Sequence, residues 1–159
     1  MCGIAGFILK DKNAQELKLL AYKFAQSIRH RGPDDHGFNI RDGVCVLNTR
    51  LSIVDVAHGQ QPLYSDDDNV TLVQNGEIYN YIELRSQLKK LGFQFKTQSD
   101  SEVILKAYEC YGTACFQYFN GMFAIAIIDI KRGKLILARD RLGVKPLYYY
   151  QHNLSLIHI

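Results

Sequence analysis

Short apolar runs at both ends of the chain flank a middle section in which apolar residues recur at helical spacing. Ile4 to Leu9 is apolar and stops at Lys10-Asp11-Lys12, which reads as a buried strand. Residues 15–28 carry Leu17, Leu20, Ala21, Phe24 and Ile28 along one helical face, and Gly32-Pro33 breaks the pattern. Strands are expected at 37–41 and 43–50, joined by Asp42-Gly43, a strong hairpin signal. Leu63 to Ser65 and Val70 to Gln74 flank the acidic run Asp66-Asp67-Asp68-Asn69, which reads as a solvated turn and not as a metal site. Tyr81, Leu84, Leu88 and Leu91 form a second helical stripe ending at Gly92. Phe93 and Phe95 alternate with Gln94 and Lys96 as a short strand would. Ser99 or Asp100 can cap a helix through 102–111, with Val103, Ala107 and Tyr111 inward. The last third is β-rich, with strands expected at 122–130, 135–139 and 146–150. Hairpin-linked strands and grouped helices argue for an antiparallel α+β layered fold over a parallel one.

Composition narrows the function classes. The chain has 159 residues, 47% of them hydrophobic and 22% charged, enough for one domain with a substantial core. The net charge of +3 is small, and the densest basic stretch, Arg29-His30-Arg31, sits in a glycine-proline loop. Nucleic-acid binding is therefore not expected. No apolar run approaches a membrane helix, and Ile4 to Leu9 is too short for a secretory h-region. The cysteines at 2, 45, 110 and 115 match no metal-pair spacing and need no disulfide framework, so a reducing cytoplasm is the expected setting. Cys45 and Cys110 read as packing residues, His30 as a loop-packing residue, and Tyr148-Tyr149-Tyr150 as packing at a strand end.

Cys2 is the unusual cysteine. Removal of Met1, favoured by a small penultimate side chain, would leave it with both a thiol and an α-amine of pKa about 7.7–8.0, a usable base. The competing reading is a small buried residue at a strand start. Four polar clusters interrupt the apolar scaffold: Arg29 to Asp35, Arg50 to Asp55, Asn75 to Asn80, and Ser99 to Glu102. Each alone has an ordinary explanation, since Asn-Gly is a common turn and Ser-Asp a common helix cap.

Together they form a pattern. MCGIAG, RHRGPD, RLSIVD, QNGEIYN, SDSE, NGMFAIAIID and ARDRLGVKPLYY occur in one order through residues 1 to about 150. This set resembles the glutaminase domain of class II, amino-terminal-nucleophile glutamine amidotransferases, and within that class the glutamine-hydrolysing asparagine synthetases. The resemblance implies an αββα sandwich over residues 2–153, with its last part lacking, and leaves 154–159 as an unmatched tail. It implies that Cys2 attacks the side-chain amide of L-glutamine to give a γ-glutamyl thioester, hydrolysed to glutamate with release of ammonia. By position, the Asn75 side chain and the Gly76 N–H are the oxyanion donors. Arg50 holds the α-carboxylate, Glu77 and Asp100 receive the α-ammonium, and Leu51, Ser52, Ile53 and Val54 line the pocket. Arg31 and Gly32 match the loop beside the nucleophile.

The half-reaction needs no metal or cofactor. ATP and magnesium belong to a synthetase domain, the implied covalent partner and ammonia acceptor, which these residues do not supply. The resemblance leaves room for a homodimer. Two other readings stay open: a truncated or vestigial domain that only binds a partner, and a different amino-terminal-nucleophile hydrolase. Arg50 paired with Asp100 speaks against the latter, because such enzymes need not hold a free amino acid by both α-groups.

Overall fold

The computed structural model describes residues 2–51, 59–152 and 155–158. Strand β1 (Gly3–Ile8) is followed by helix α1 (Ala14–Ser27), then by the hairpin of β2 (Asp35–Arg41) and β3 (Val44–Arg50). The short β4 (Leu63–Tyr64) leads into β5 (Val70–Ile78), α2 (Tyr81–Lys90) and α3 (Asp100–Tyr111). Strands β6 (Gly121–Asp129), β7 (Lys134–Arg139), β8 (Tyr149–His152) and β9 (Ser155–His158) complete the described chain.

Two sheets result, one ordered β2-β3-β1-β9-β8 and the other β4-β5-β6-β7, and every pairing is antiparallel. The period of two along each strand sorts side chains into layers. Ile4, Val46, Val73, Ala124, Ala126 and Ile128 meet between the sheets. Ala5, Phe7, Cys45 and Leu47 turn the other way and bury Leu17, Ala21 and Ala25 of α1. Val70, Leu72, Phe123, Ile125 and Ile127 pack against α2 and α3. The order helix, sheet, sheet, helices is the expected αββα sandwich.

Local chemistry fixes the ends. Asn13 and Glu16 form a reciprocal capping box at the start of α1. Asp42 and Gly43, both with positive φ, make the β2–β3 turn. Asp66 in the acidic turn pairs with Lys96 and with the buried Lys106 of α3, and these ammonium groups lower its pKa to about 2. The turn is therefore tied to the helix layer and not merely solvated.

Several expectations fail on long-range contacts. Residues 93–99 form no strand. Their main chain is captured by side chains: Glu102 accepts from the N–H groups of Lys96 and Thr97, while Arg85 donates to the carbonyls of Thr97 and Ser99. Asn75-Gly76 is no turn but lies inside β5, paired with Ala124 and Phe123. The last expected strand begins at Tyr149, and Tyr148, Tyr149 and Tyr150 are 57–70% exposed instead of packed. His30 is exposed in a single 3-10 turn, not packed. The main chain of Ser155–His158 enters the first sheet between β1 and β8.

Candidate functional site

The layer between the sheets changes character at one end. Apolar Ile4, Val46, Val73 and Ala124 give way, two residues along each strand, to Cys2, Asn48, Asn75 and Met122. One further alternation adds Arg50 and Glu77. Strand periodicity alone thus aims these side chains at the same end of the sandwich. All of them except Asn48 line a cavity of about 110 Å3, together with Leu51, Gly59, Gln61, Gln74, Gly76, Ser99, Asp100, Ser101 and Lys145. A second void, lined by Ile4, Val46 and Ala126 among others, is apolar, about 10 Å3, and too small for a substrate.

Cys2 is half-buried at the head of β1. The Leu51 N–H donates to its sulfur at 3.4 Å, and its thiol reaches the Leu51 carbonyl at 3.6 Å. Beneath it, Asn48 is buried and donates across the layer to the Gln74 carbonyl at 3.2 Å, tying β3 to β5. Arg50 and Asn75 are each 5% exposed, so charged and amide groups here are desolvated and strengthened as ligand partners.

Gly76 has φ +141°, and a Cβ there would fall on the Met122 carbonyl oxygen. The glycine is thus demanded by the neighbouring strand β6 as well as by any ligand approach. Gly32 is likewise jammed against the Thr49 carbonyl. Arg31 and Gly32 do not line the cavity. They sit behind it, with the Arg31 Cβ 3.1 Å from where a Gly3 Cβ would be. Ser52, Ile53 and Val54 lie outside the described residues.

Asp100 enters from the first turn of α3, which Ser99 caps by accepting from the Ser101 N–H at 3.1 Å. Its Oδ2 accepts from the Ile78 N–H and from Gln74 Nε2, both at 2.9 Å. The Gln74 side chain in turn accepts from Ser101 Oγ at 2.7 Å, and its main-chain N–H donates to Gln61 Oε1 at 2.6 Å. Gln61 also donates to Ser101 Oγ at 3.3 Å. No motif in the sequence singles out Gln61, Gln74, Ser101 or Lys145 for a role in the site. Alternation places Gln74 on the helix side of β5, but its acceptor on α3 follows only from the packing of α3 on that sheet.

Lys145 arrives on a loop held by Asp140. That carboxylate is buried, which raises its pKa, but N–H groups of Lys145, Val144 and Phe123 outweigh burial and hold it below the ordinary range. Away from the cavity, burial pushes the Cys45 and Cys115 thiols up to about 12, leaving them inert. Among the described residues, no group of His, Cys, Asp and Glu could hold a metal ion, and no helix is long and apolar enough to cross a membrane.

A family profile described as "Glutamine amidotransferase domain" matches residues 1–158. The chain belongs to this glutamine amidotransferase family. It is 43% identical to asparagine synthetase [glutamine-hydrolyzing] 2 of Bacillus subtilis over 99% of its length, covering 21% of that protein. Identity is 42% to a probable asparagine synthetase [glutamine-hydrolyzing] of Schizosaccharomyces pombe, over 93% of this chain and 26% of that one. A putative asparagine synthetase [glutamine-hydrolyzing] 2 of Methanocaldococcus jannaschii is 41% identical, over 94% of this chain and 32% of that protein. The amidotransferase chain thus spans about a fifth to a third of these relatives. Its fold matches the allosteric regulatory enzyme of purine biosynthesis with TM-score 0.80 at 18% identity, over 99% of this chain and 41% of that one. The glutamine phosphoribosylpyrophosphate amidotransferase of Bacillus subtilis gives 0.77 at 19% identity, over the same shares. At these identities the two structures speak to fold alone, an α+β sandwich.

Proposed function

We propose that this amidotransferase domain hydrolyses L-glutamine through Cys2 and delivers the ammonia to a synthetase domain. Removal of Met1 frees the Cys2 α-amine, which takes the thiol proton as sulfur attacks the δ-carbonyl carbon. The C–N bond then breaks, the amine passes its proton to the leaving nitrogen, and ammonia departs from a γ-glutamyl thioester. Water, deprotonated by the same amine, cleaves the thioester to glutamate and restores the thiol. The Asn75 amide and the Gly76 N–H receive the oxyanion in both tetrahedral steps.

Arg50 takes the substrate α-carboxylate as a two-pronged donor, and Asp100 with Glu77 takes the α-ammonium. Leu51 lies beside the sulfur, and Arg31 with Gly32 backs the nucleophile's strand. Residues 2–153 carry this half-reaction. The resemblance to the glutamine-hydrolysing asparagine synthetases implies aspartate as the acceptor, converted to asparagine with ATP and magnesium in a domain these residues do not include. All four cysteines are free thiols, which supports a reducing compartment, the cytoplasm.

The observation that carries the proposal is the convergence of Cys2, Arg50, Asn75, Gly76, Glu77 and Asp100 on one cavity. The test is incubation of Met1-free protein with glutamine. Glutamate and ammonia in equal amounts are expected, with none from Cys2→Ala. Absence of glutamate from the unmodified protein refutes the proposal.

A further inference from the structure

The buried polar chain behind Asp100 is more elaborate than a helix cap requires. Gln74 is 2% exposed in the middle of β5, on the side where its strand neighbours Val70, Leu72 and Ile78 are apolar core. A primary amide among such residues is costly unless both ends are bonded. Both ends are: Oε1 accepts from Ser101 Oγ at 2.7 Å, and Nε2 donates to Asp100 Oδ2 at 2.9 Å.

Donor arithmetic fixes the direction of the chain. The Ser101 hydroxyl has one proton and gives it to Gln74, so it must be the acceptor for Gln61 Nε2 at 3.3 Å. Gln61 Oε1 is committed to the Gln74 main-chain N–H at 2.6 Å, which orients the Gln61 amide as well. Every bond therefore runs one way, Gln61 to Ser101 to Gln74 to Asp100, and each polarises the next. With the Ile78 N–H, Oδ2 receives two donors, and the carboxylate plane is set from the protein side.

We infer that Gln74 is a positioning residue for glutamine specificity: it anchors Oδ2 of Asp100 so that Oδ1 meets the substrate α-ammonium, with Ser101 and Gln61 setting the amide's direction. The inference rests on the assignment of Asp100 to the α-ammonium. It makes the Gln74–Ser101 pair a determinant of amino-acid recognition at a distance from the reacting carbon, acting on binding and not on the thioester chemistry.

The experiment compares ammonia release from glutamine with that from 4-carbamoylbutanoate, which is glutamine without its α-amino group. Gln74→Met keeps the side-chain length and removes the amide. The ratio of kcat/KM for glutamine over the analogue should fall about tenfold, through KM for glutamine, the loss expected for one bond to a charged group. Kinetics on the analogue should stay within about twofold, since it lacks the group that Asp100 would hold. An unchanged ratio, or an equal fall on both substrates, overturns the inference. Ser101→Ala serves if Gln74→Met shows no cooperative thermal melt: freeing the amide to flip should lower the ratio in the same direction, and an unchanged ratio again overturns it. Asp100→Asn separates the role of Gln74 from that of Asp100. A ratio lost in Asp100→Asn but kept in Gln74→Met overturns the role of Gln74 alone. A ratio kept in Asp100→Asn overturns the ammonium assignment, and the inference with it.

Discussion

Asp140 and Asp100 are both buried aspartates that collect N–H donors, yet they sit at opposite ends of a contrast. Asp140 uses both oxygens internally, on Val144 through Oδ1 and on Phe123 and Lys145 through Oδ2. Asp100 accepts from the Ile78 N–H and from Gln74 Nε2 on Oδ2, and it lines the cavity. Glu102, two residues further along α3, resembles Asp140: both its oxygens accept from Lys96 and Thr97 and staple the loop before the helix. A carboxylate saturated by its own chain builds the frame, and one anchored from behind is poised for a ligand. Two acids on one helical turn can therefore do different work.

The contrast is sharpened by substitution. Asp140→Ala strands the buried N–H groups of Phe123 and Lys145 and the partly buried one of Val144, and should cost about 3 kcal/mol of stability, lowering Tm by about 6–12 °C. The ratio of glutamine to 4-carbamoylbutanoate turnover should stay the same in the folded fraction, as read by thermal melting and paired kinetics. Asp100→Asn should reverse the balance: kcat/KM for glutamine falls by about 10–100-fold, equivalent to about 1.4–3 kcal/mol, with a smaller change in Tm. A Tm loss in Asp100→Asn as large as in Asp140→Ala would erase the distinction. Glu102→Gln places an NH2 against the loop N–H donors and should cost about 1–2 kcal/mol, with faster proteolysis between residues 93 and 99.

Acid titration gives a subtler effect. The folded pKa of Asp140 lies below its unfolded value of about 3.9, so its contribution is complete above that pH and is lost as pH falls towards the folded pKa. The slope of stability against pH below about 4 should therefore flatten in Asp140→Asn. The smallest effect belongs to Asp66→Asn. Asp66 is 61% exposed, and its pairs with Lys96 and Lys106 should contribute under about 1 kcal/mol and fade with added salt.

Much of this was legible in sequence because it depends on local periodicity. The apolar runs at 4–9, 43–50 and 122–130 place the strands, whereas Cys2, Arg50 and Asn75 are singled out in the sequence by the resemblance of their motifs to a known family and not by periodicity. The Asp42-Gly43 turn and the Ser99 cap are equally local. What was not legible depends on side chains reaching across the fold. Phe93 to Lys96 alternates like a strand, but Arg85 and Glu102 take the main-chain partners that a strand would need. Lys145 enters the cavity only because Asp140 pins its loop, and Gln61 only because β4 begins no earlier than Leu63 and leaves the Gln74 N–H to the Gln61 side chain. Gly76 was readable as a residue chosen for close approach. That the approaching group includes the β6 main chain was not.

The most direct test of the account is the site of covalent capture by a glutamine mimic with an electrophile at the δ-carbon. Met1-free protein is treated with one equivalent, digested, and mapped by mass spectrometry, with and without excess glutamine. A single adduct is expected on Cys2, suppressed by glutamine, with Cys45, Cys110 and Cys115 unmodified. An adduct on another cysteine, or labelling of Cys2 that glutamine does not suppress, would contradict it.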